Sequence, residues 1–139
     1  MKVSKLFFAL SLLYILIGFN QNLFAQNEPV LYFCEKYGNN GEVGVSDRFT
    51  TGYLTVMVKC DDALDLDDVS IQFDKYNARS KKFEYYKKFH YNVEPDMNYI
   101  YFSKNDESDM KFEEPGFYRV FLLDDRDKTV ASALIEIID

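Results

Sequence analysis

The residues able to do chemistry are few in this chain. Its only histidine, His90, lies in KFEYYKKFHYNV, where aromatic and charged residues alternate. A single His cannot supply a multi-His metal site, and it would have to be the base of any Ser-His-Asp arrangement. No Ser occupies a nucleophile elbow: GEVGVSDRF offers Gly44, Val45, Ser46 and Asp47 without the second Gly that the strained turn needs. Cys34 with His90 is the remaining nucleophile pair, yet a Cys inside an apolar strand is ordinarily core or cross-linked. No catalytic residue and no cofactor is assigned, and a non-enzyme is expected.

The acidic run DDALDLDD gathers Asp61, Asp62, Asp65, Asp67 and Asp68, enough hard oxygens for Ca2+. It lacks the Gly of an EF-hand turn, and the twelfth position from Asp65 is Tyr76 where Glu is required. A solvated inter-strand loop, pinned to the core edge by Leu64 and Leu66, accounts for the charge more simply, so Ca2+ is the lesser reading and no metal site is assigned. Cys34 and Cys60 leave two alternatives open. Adjacent antiparallel strands would bridge them, at a gain of about 3–4 kcal/mol in the chain-entropy model, or both are buried thiols behaving as small hydrophobes. There is no CxxC spacing, so redox chemistry is not expected.

Whatever these residues do depends on the compartment and the elements that carry them. The first 25 residues combine Lys2 and Lys5, an apolar run from Leu6 to about Phe19, and a small residue, Ala25, at the end of a short polar stretch. This is the pattern of a signal peptide, too short to span a bilayer, and its Ala-Gln junction resembles leaders of Gram-negative Bacteroidota. The expectation is a chain exported to the periplasm or outer surface, with one domain over residues 26–139. That leader holds two of the 16 Lys and Arg and none of the 23 Asp and Glu, so removing it shifts the net charge from −7 to −9. So acidic a surface repels phosphate backbones and excludes nucleic acid as a partner.

The rest reads as short β-rich runs separated by turn signals, an all-β chain of about seven or eight strands. VLYFCEKY precedes the turn cluster GNNG. In GYLTVMVKC, Leu54, Val56, Val58 and Cys60 share one face and Tyr53, Thr55, Met57 and Lys59 the other. VSIQFDKY follows the acidic loop. KFEYYKKFHYNV alternates Phe83, Tyr85, Phe89, Tyr91 and Val93 with polar residues, including Lys87 and Lys88, which predicts a polar outer face for this strand. MNYIYF, FYRVFLLD and TVASALIEII complete the set.

In EEPGFYRVFLLDD the residues Glu114, Gly116 and Tyr118, with Val120 two further on, match the acid-x-small-x-Tyr-x-Cys pattern of a tyrosine corner. Over most of residues 26–139 the chain resembles the immunoglobulin-like β-sandwich superfamily. That resemblance implies a single antiparallel sandwich, a Tyr118 hydroxyl bonded to backbone upstream, and Tyr118, Val120 and Leu122 facing the core. Val120 replaces the usual strand Cys, and no Trp is present to pack beside it. Antibody-type recognition is therefore not implied.

Two strands are apolar on both faces. Opposite Tyr118, Val120 and Leu122 lie Phe117, Phe121 and Leu123, flanking Arg119; opposite Ala131, Ala133, Ile135 and Ile137 lie Val130, Leu134 and Ile138. A strand with one wet face should alternate, so this second face expects a cover. The cover is either a protein partner, self-association included, or the chain's own NYIYF or N-terminal strand. Phe117, Arg119, Phe121, Leu123 and Leu134 are the expected interface. The function expected is a non-catalytic interaction module, an accessory subunit of a cell-envelope transport or secretion assembly. A carbohydrate-binding module and an inhibitor of secreted hydrolases are the alternatives.

Overall fold

A computed structural model describes residues 27–105 and 108–139. The leader expected over residues 1–25 lies outside the described residues. Twelve strands follow in order: β1 (Val30–Cys34), β2 (Lys36–Gly38), β3 (Gly41–Val43), β4 (Arg48–Thr50), β5 (Gly52–Tyr53), β6 (Thr55–Lys59), β7 (Asp68–Asn77), β8 (Lys82–Asn92), β9 (Tyr99–Phe102), β10 (Lys111–Phe112), β11 (Gly116–Leu123) and β12 (Thr129–Ile138). No helix occurs among the described residues, and none there is long and apolar enough to cross a membrane. The all-β reading holds. The expected count of seven or eight does not, because β2, β3, β4, β5 and β10 are pairings of only two or three residues that no alternation pattern reveals.

The strands form four sheets, ordered β1-β6-β9, β10-β5, β4-β12-β11-β7-β8 and β2-β3. All pairings are antiparallel except β4 with β12. The inner faces of the two larger sheets share one core. Leu31, Phe33, Val56, Val58, Ile100 and Phe102 meet Val69, Ile71, Phe73, Tyr118, Val120, Leu122, Ile135 and Ile137. Period-two burial of β-branched and aromatic side chains drives each strand against the opposite sheet. β1 and β9 therefore belong to the three-stranded sheet, and neither covers the outer face of β11 and β12, which removes the intramolecular cover weighed from sequence.

Two β-bulges change which side chains face which way. Between Phe73 and Asp74 of β7 the partner on β8 jumps from Lys87 to Tyr85, leaving Tyr86 unpaired. The extra residue inverts the alternation along β8. Phe89 and Tyr91 pack on the core while Phe83 and Tyr85 turn to the outer face. The single aromatic face expected for this strand is thus split, and Lys87, in step with Phe89, points inward. A second irregularity at Leu122 and Leu123 skips Val130 on β12.

The cysteines are both buried and both free. In the β1–β6 register Cys34 faces Thr55, whereas Cys60 lies beyond the Val30–Lys59 pair at the other end of the sheet. Five residues of strand separate them, about 17 Å at extended rise, far outside the Cα reach of a disulfide. The bridged alternative is overturned by this register.

Candidate interaction surface

The outer face of the five-stranded sheet is built by β11 and its neighbours. Along β11 the core takes Tyr118, Val120 and Leu122, all fully buried, and the opposite side presents Phe117, Arg119 and Phe121. Phe117 is 53% exposed, and Leu134 on the adjoining strand is 55% exposed. Register aligns Leu134, Arg119 and Asp74 in one row across β12, β11 and β7, and Ser132, Phe121 and Gln72 in the next. The Arg119 guanidinium crosses over β7 to lie 4.6 Å from the centre of the Phe83 ring on β8. Tyr76 meets Phe83 edge-on at 5.4 Å, and Tyr85 beyond it is 66% exposed. The result is a surface of exposed apolar and aromatic side chains interspersed with Asp74, Gln72 and Ser132, over which the Arg119 cation reaches to the Phe83 ring.

Leu123 does not belong to that exposed set. It pairs with Ser70 and is only 5% exposed, outside the main core cluster. At this end of the face an ion pair runs from Lys88 on β8 to Asp127 in the turn after β11. Lys88 and Leu123 share the outer side, so the salt bridge spans that end of the sheet and closes it.

The corner residues position β11. The Tyr118 hydroxyl donates to the Glu114 carbonyl at 2.7 Å, and the Glu114 carboxylate pairs with Lys75. Burial, with Tyr86 and Glu114 nearby, raises the Tyr118 pKa well above the ordinary phenol value. Gly116 sits at φ +142°, where a side chain is rarely tolerated, and an added Cβ would stand 3.2 Å from the Lys75 Cε.

Three clusters were not anticipated. The Ser70 hydroxyl and His90 Nδ1 lie 2.8 Å apart, beside a cleft of about 450 Å3 lined also by Asp68, Lys88, Asp124, Asp125 and Asp127. Ser70 is buried with its hydroxyl bonded to the imidazole, and His90 has no carboxylate partner among the described residues. A one-residue alternation signal could have paired Ser70 with His90 only once the β7–β8 register was known. Among the described residues no group of three His, Cys, Asp or Glu gathers closely enough to hold a metal ion, the acidic loop included.

The second cluster lies on the outer face of the three-stranded sheet, where the β2–β3 hairpin folds over. Tyr32 donates to Glu42 on the hairpin. Burial and the Glu42 bond push Tyr32 up to about 12, and Tyr99 is displaced further in the same direction by burial and the same carboxylate. Those hydrogen bonds from Tyr32 and Tyr99 hold Glu42 below the ordinary carboxylate value. Tyr37 stacks on Tyr101 at 4.5 Å, and Met57 in the row between Tyr32 and Tyr101 is fully buried.

The third is Lys87. Its amine lies 5.4–5.7 Å from the rings of Phe73, Tyr86, Phe89 and Phe112, and it donates to the carbonyls of Asp109, at 3.0 Å, and of Lys111. Burial lowers its pKa. The side chain staples β8 to the start of β10 and the residues just before it. No family model matches the chain, and no curated protein matches it in sequence.

Proposed function

We propose that this chain is a non-catalytic, exported interaction module, an accessory subunit that docks on a larger cell-envelope assembly through the outer face of the five-stranded sheet. The observation that carries the reading is the pairing of half-exposed Phe117 and Leu134 on adjacent strands around an Arg119 already ordered over Phe83. Apolar side chains that gain nothing in water gain from a partner surface. A pre-stacked Arg loses little further freedom on docking. We also infer an immunoglobulin-like sandwich as the scaffold, a reading supported by the Tyr118–Glu114 bond and by the shared core of the two larger sheets.

The test is affinity capture from gently solubilised envelopes of the native organism, with a tag after Asp139 and Phe117→Glu in parallel. The expected result is stoichiometric recovery of one envelope complex that the variant loses. Recovery of the chain alone from both preparations would sink the proposal.

A second reading, carbohydrate binding, is favoured by one specific feature. The stacked Tyr37 and Tyr101 rings are partly exposed on the other side of the molecule and offer a flat platform to a sugar ring. Glycan-array binding that Tyr101→Ala abolishes and Phe117→Glu leaves unchanged would shift the assignment to that face.

A further inference from the structure

Apart from its faces, the five-stranded sheet has two edges, and they are unlike. The β4 edge is three residues long. The β8 edge runs for 11 residues, about 37 Å of extended backbone. Outside its ladder with β7, no backbone–backbone hydrogen bond among the described residues involves Lys82–Asn92. A long open edge is a template for another strand, and proteins ordinarily blunt one with lysines that project into the path of a newcomer.

This edge has the lysines, yet the two in its middle are withdrawn. Lys87 turns inward to the aromatic rings and to the carbonyls of Asp109 and Lys111. Lys88 reaches across the outer face to Asp127, leaving its side chain 19% exposed. The bulge at Tyr86 remains as the one local irregularity.

The charges at the two ends of the β7–β8 hairpin say what fits there. Its tip carries Arg79, Lys81 and Lys82, none of which has an ion-pair partner among the described residues. The opposite end is flanked by Asp61, Asp62, Asp65, Asp67, Asp68, Glu94 and Asp96, and none of these carboxylates is ion-paired among the described residues either. A strand laid antiparallel on β8 brings its own end to the basic tip and its own start to the acidic end. A second β8 in that orientation sets basic tip against acidic base at both ends at once. Two-fold symmetry then makes the contact self-complementary.

We propose that the β8 edge pairs antiparallel with the β8 edge of a second copy of the chain, joining the two five-stranded sheets into one continuous sheet. The middle residue of the strand, Lys87, then lies at the two-fold axis with the exposed Tyr85 of each copy two residues from it, and the outer faces described above become one broader surface. This inference does not depend on the envelope partner, because it uses the edge of the sheet and that reading uses the face.

Sedimentation equilibrium on the purified protein tests it, with two charge-reversed variants. In Arg79→Glu/Lys82→Glu the tip becomes acidic; in Asp61→Lys/Asp62→Lys/Glu94→Lys/Asp96→Lys most of the base carboxylates are reversed and the base becomes basic. All of these positions are exposed, and circular dichroism verifies that each variant stays folded. The expected result is a wild-type dimer that weakens as salt is raised, and a dimer Kd at least about tenfold higher for each variant alone. An equimolar mixture of the two variants regains the dimer, since each tip then faces a base of opposite sign. A monomeric wild type, or a mixture that fails to recover, would overturn the proposal. So would a dimer that Phe117→Glu dissolves while both charge variants keep it.

Discussion

The two larger sheets treat their outer faces in opposite ways. On the three-stranded sheet the chain spends a whole hairpin, β2–β3, on covering: Met57 is fully buried beneath tyrosines, and Glu42 ties the hairpin down through Tyr32. The hairpin turns tightly at Gly41, held at φ +97° where residues with a Cβ are disfavoured. On the five-stranded sheet nothing among the described residues lies over Phe117 or Leu134, each more than half exposed. Both faces carry large apolar or aromatic side chains, Met57, Tyr32 and Tyr101 on one and Phe117, Phe121 and Leu134 on the other. The difference lies in whether a neighbouring stretch of chain is long enough and suitably placed to return over them, and among the described residues only the smaller sheet has one.

Mutational cost should separate the faces most sharply at their centres. Met57→Ala should lower the stability measured by urea denaturation by about 2–5 kcal/mol, the ordinary cost of emptying a buried site. Phe117→Ala should stay within about 0.5 kcal/mol, as surface changes do. Equal losses would mean that the outer face of the larger sheet is covered after all.

A smaller effect, confined to the covered face, should appear with pH. Tyr32 is raised in the folded chain from 10.0 to about 12, so it favours folding fully below about pH 10 and less and less as the pH climbs to about 12. Glu42 is shifted the other way: its contribution is present above the ordinary carboxylate range and drains as the pH falls through its depressed value. Tyr32→Phe should lose a smaller fraction of its stability in alkali than the wild type, and Glu42→Gln a smaller fraction in acid. Urea midpoints across a pH series read both, and superimposable profiles would show that the hairpin is not held by this cluster.

The smallest expected effect sharpens the open face. A double-mutant cycle on Arg119→Ala and Phe83→Leu should return a coupling of about 0.5–1 kcal/mol, the size of an exposed cation–π contact. Zero coupling would mean that Arg119 is not pre-ordered for a partner.

Much of the open face was legible in the sequence because it needs only parity. Once Tyr118 is placed inside, Phe117, Arg119 and Phe121 must lie outside, and Leu134 with them on the next strand. Leu123 obeys the same parity, but the ion pair that buries its end joins residues 39 positions apart and leaves no local trace. What defeated parity altogether was the bulge at Tyr86. One unpaired residue in KFEYYKKFHY sends Phe83 and Tyr85 to one face and Phe89 and Tyr91 to the other, with Lys87, which shares their parity, on the inner side. The covered face was illegible for a different reason. Tyr32, Glu42 and Tyr99 meet only because a three-residue strand pair folds back over a sheet, and strands so short carry no periodic signal.

If the chain is exported as proposed, its two buried thiols set the newborn chain a race. In an oxidising compartment an unfolded segment with Cys34 and Cys60 free to collide forms a bridge that the native register, with its ends about 17 Å apart, has no way to accommodate. Pairing β1 with β6 hides both sulfurs at opposite ends of one sheet, and burial then raises the Cys34 pKa and leaves little thiolate to react. In such a compartment a chain that closes β1 on β6 before its thiols oxidise escapes the mismatched bridge.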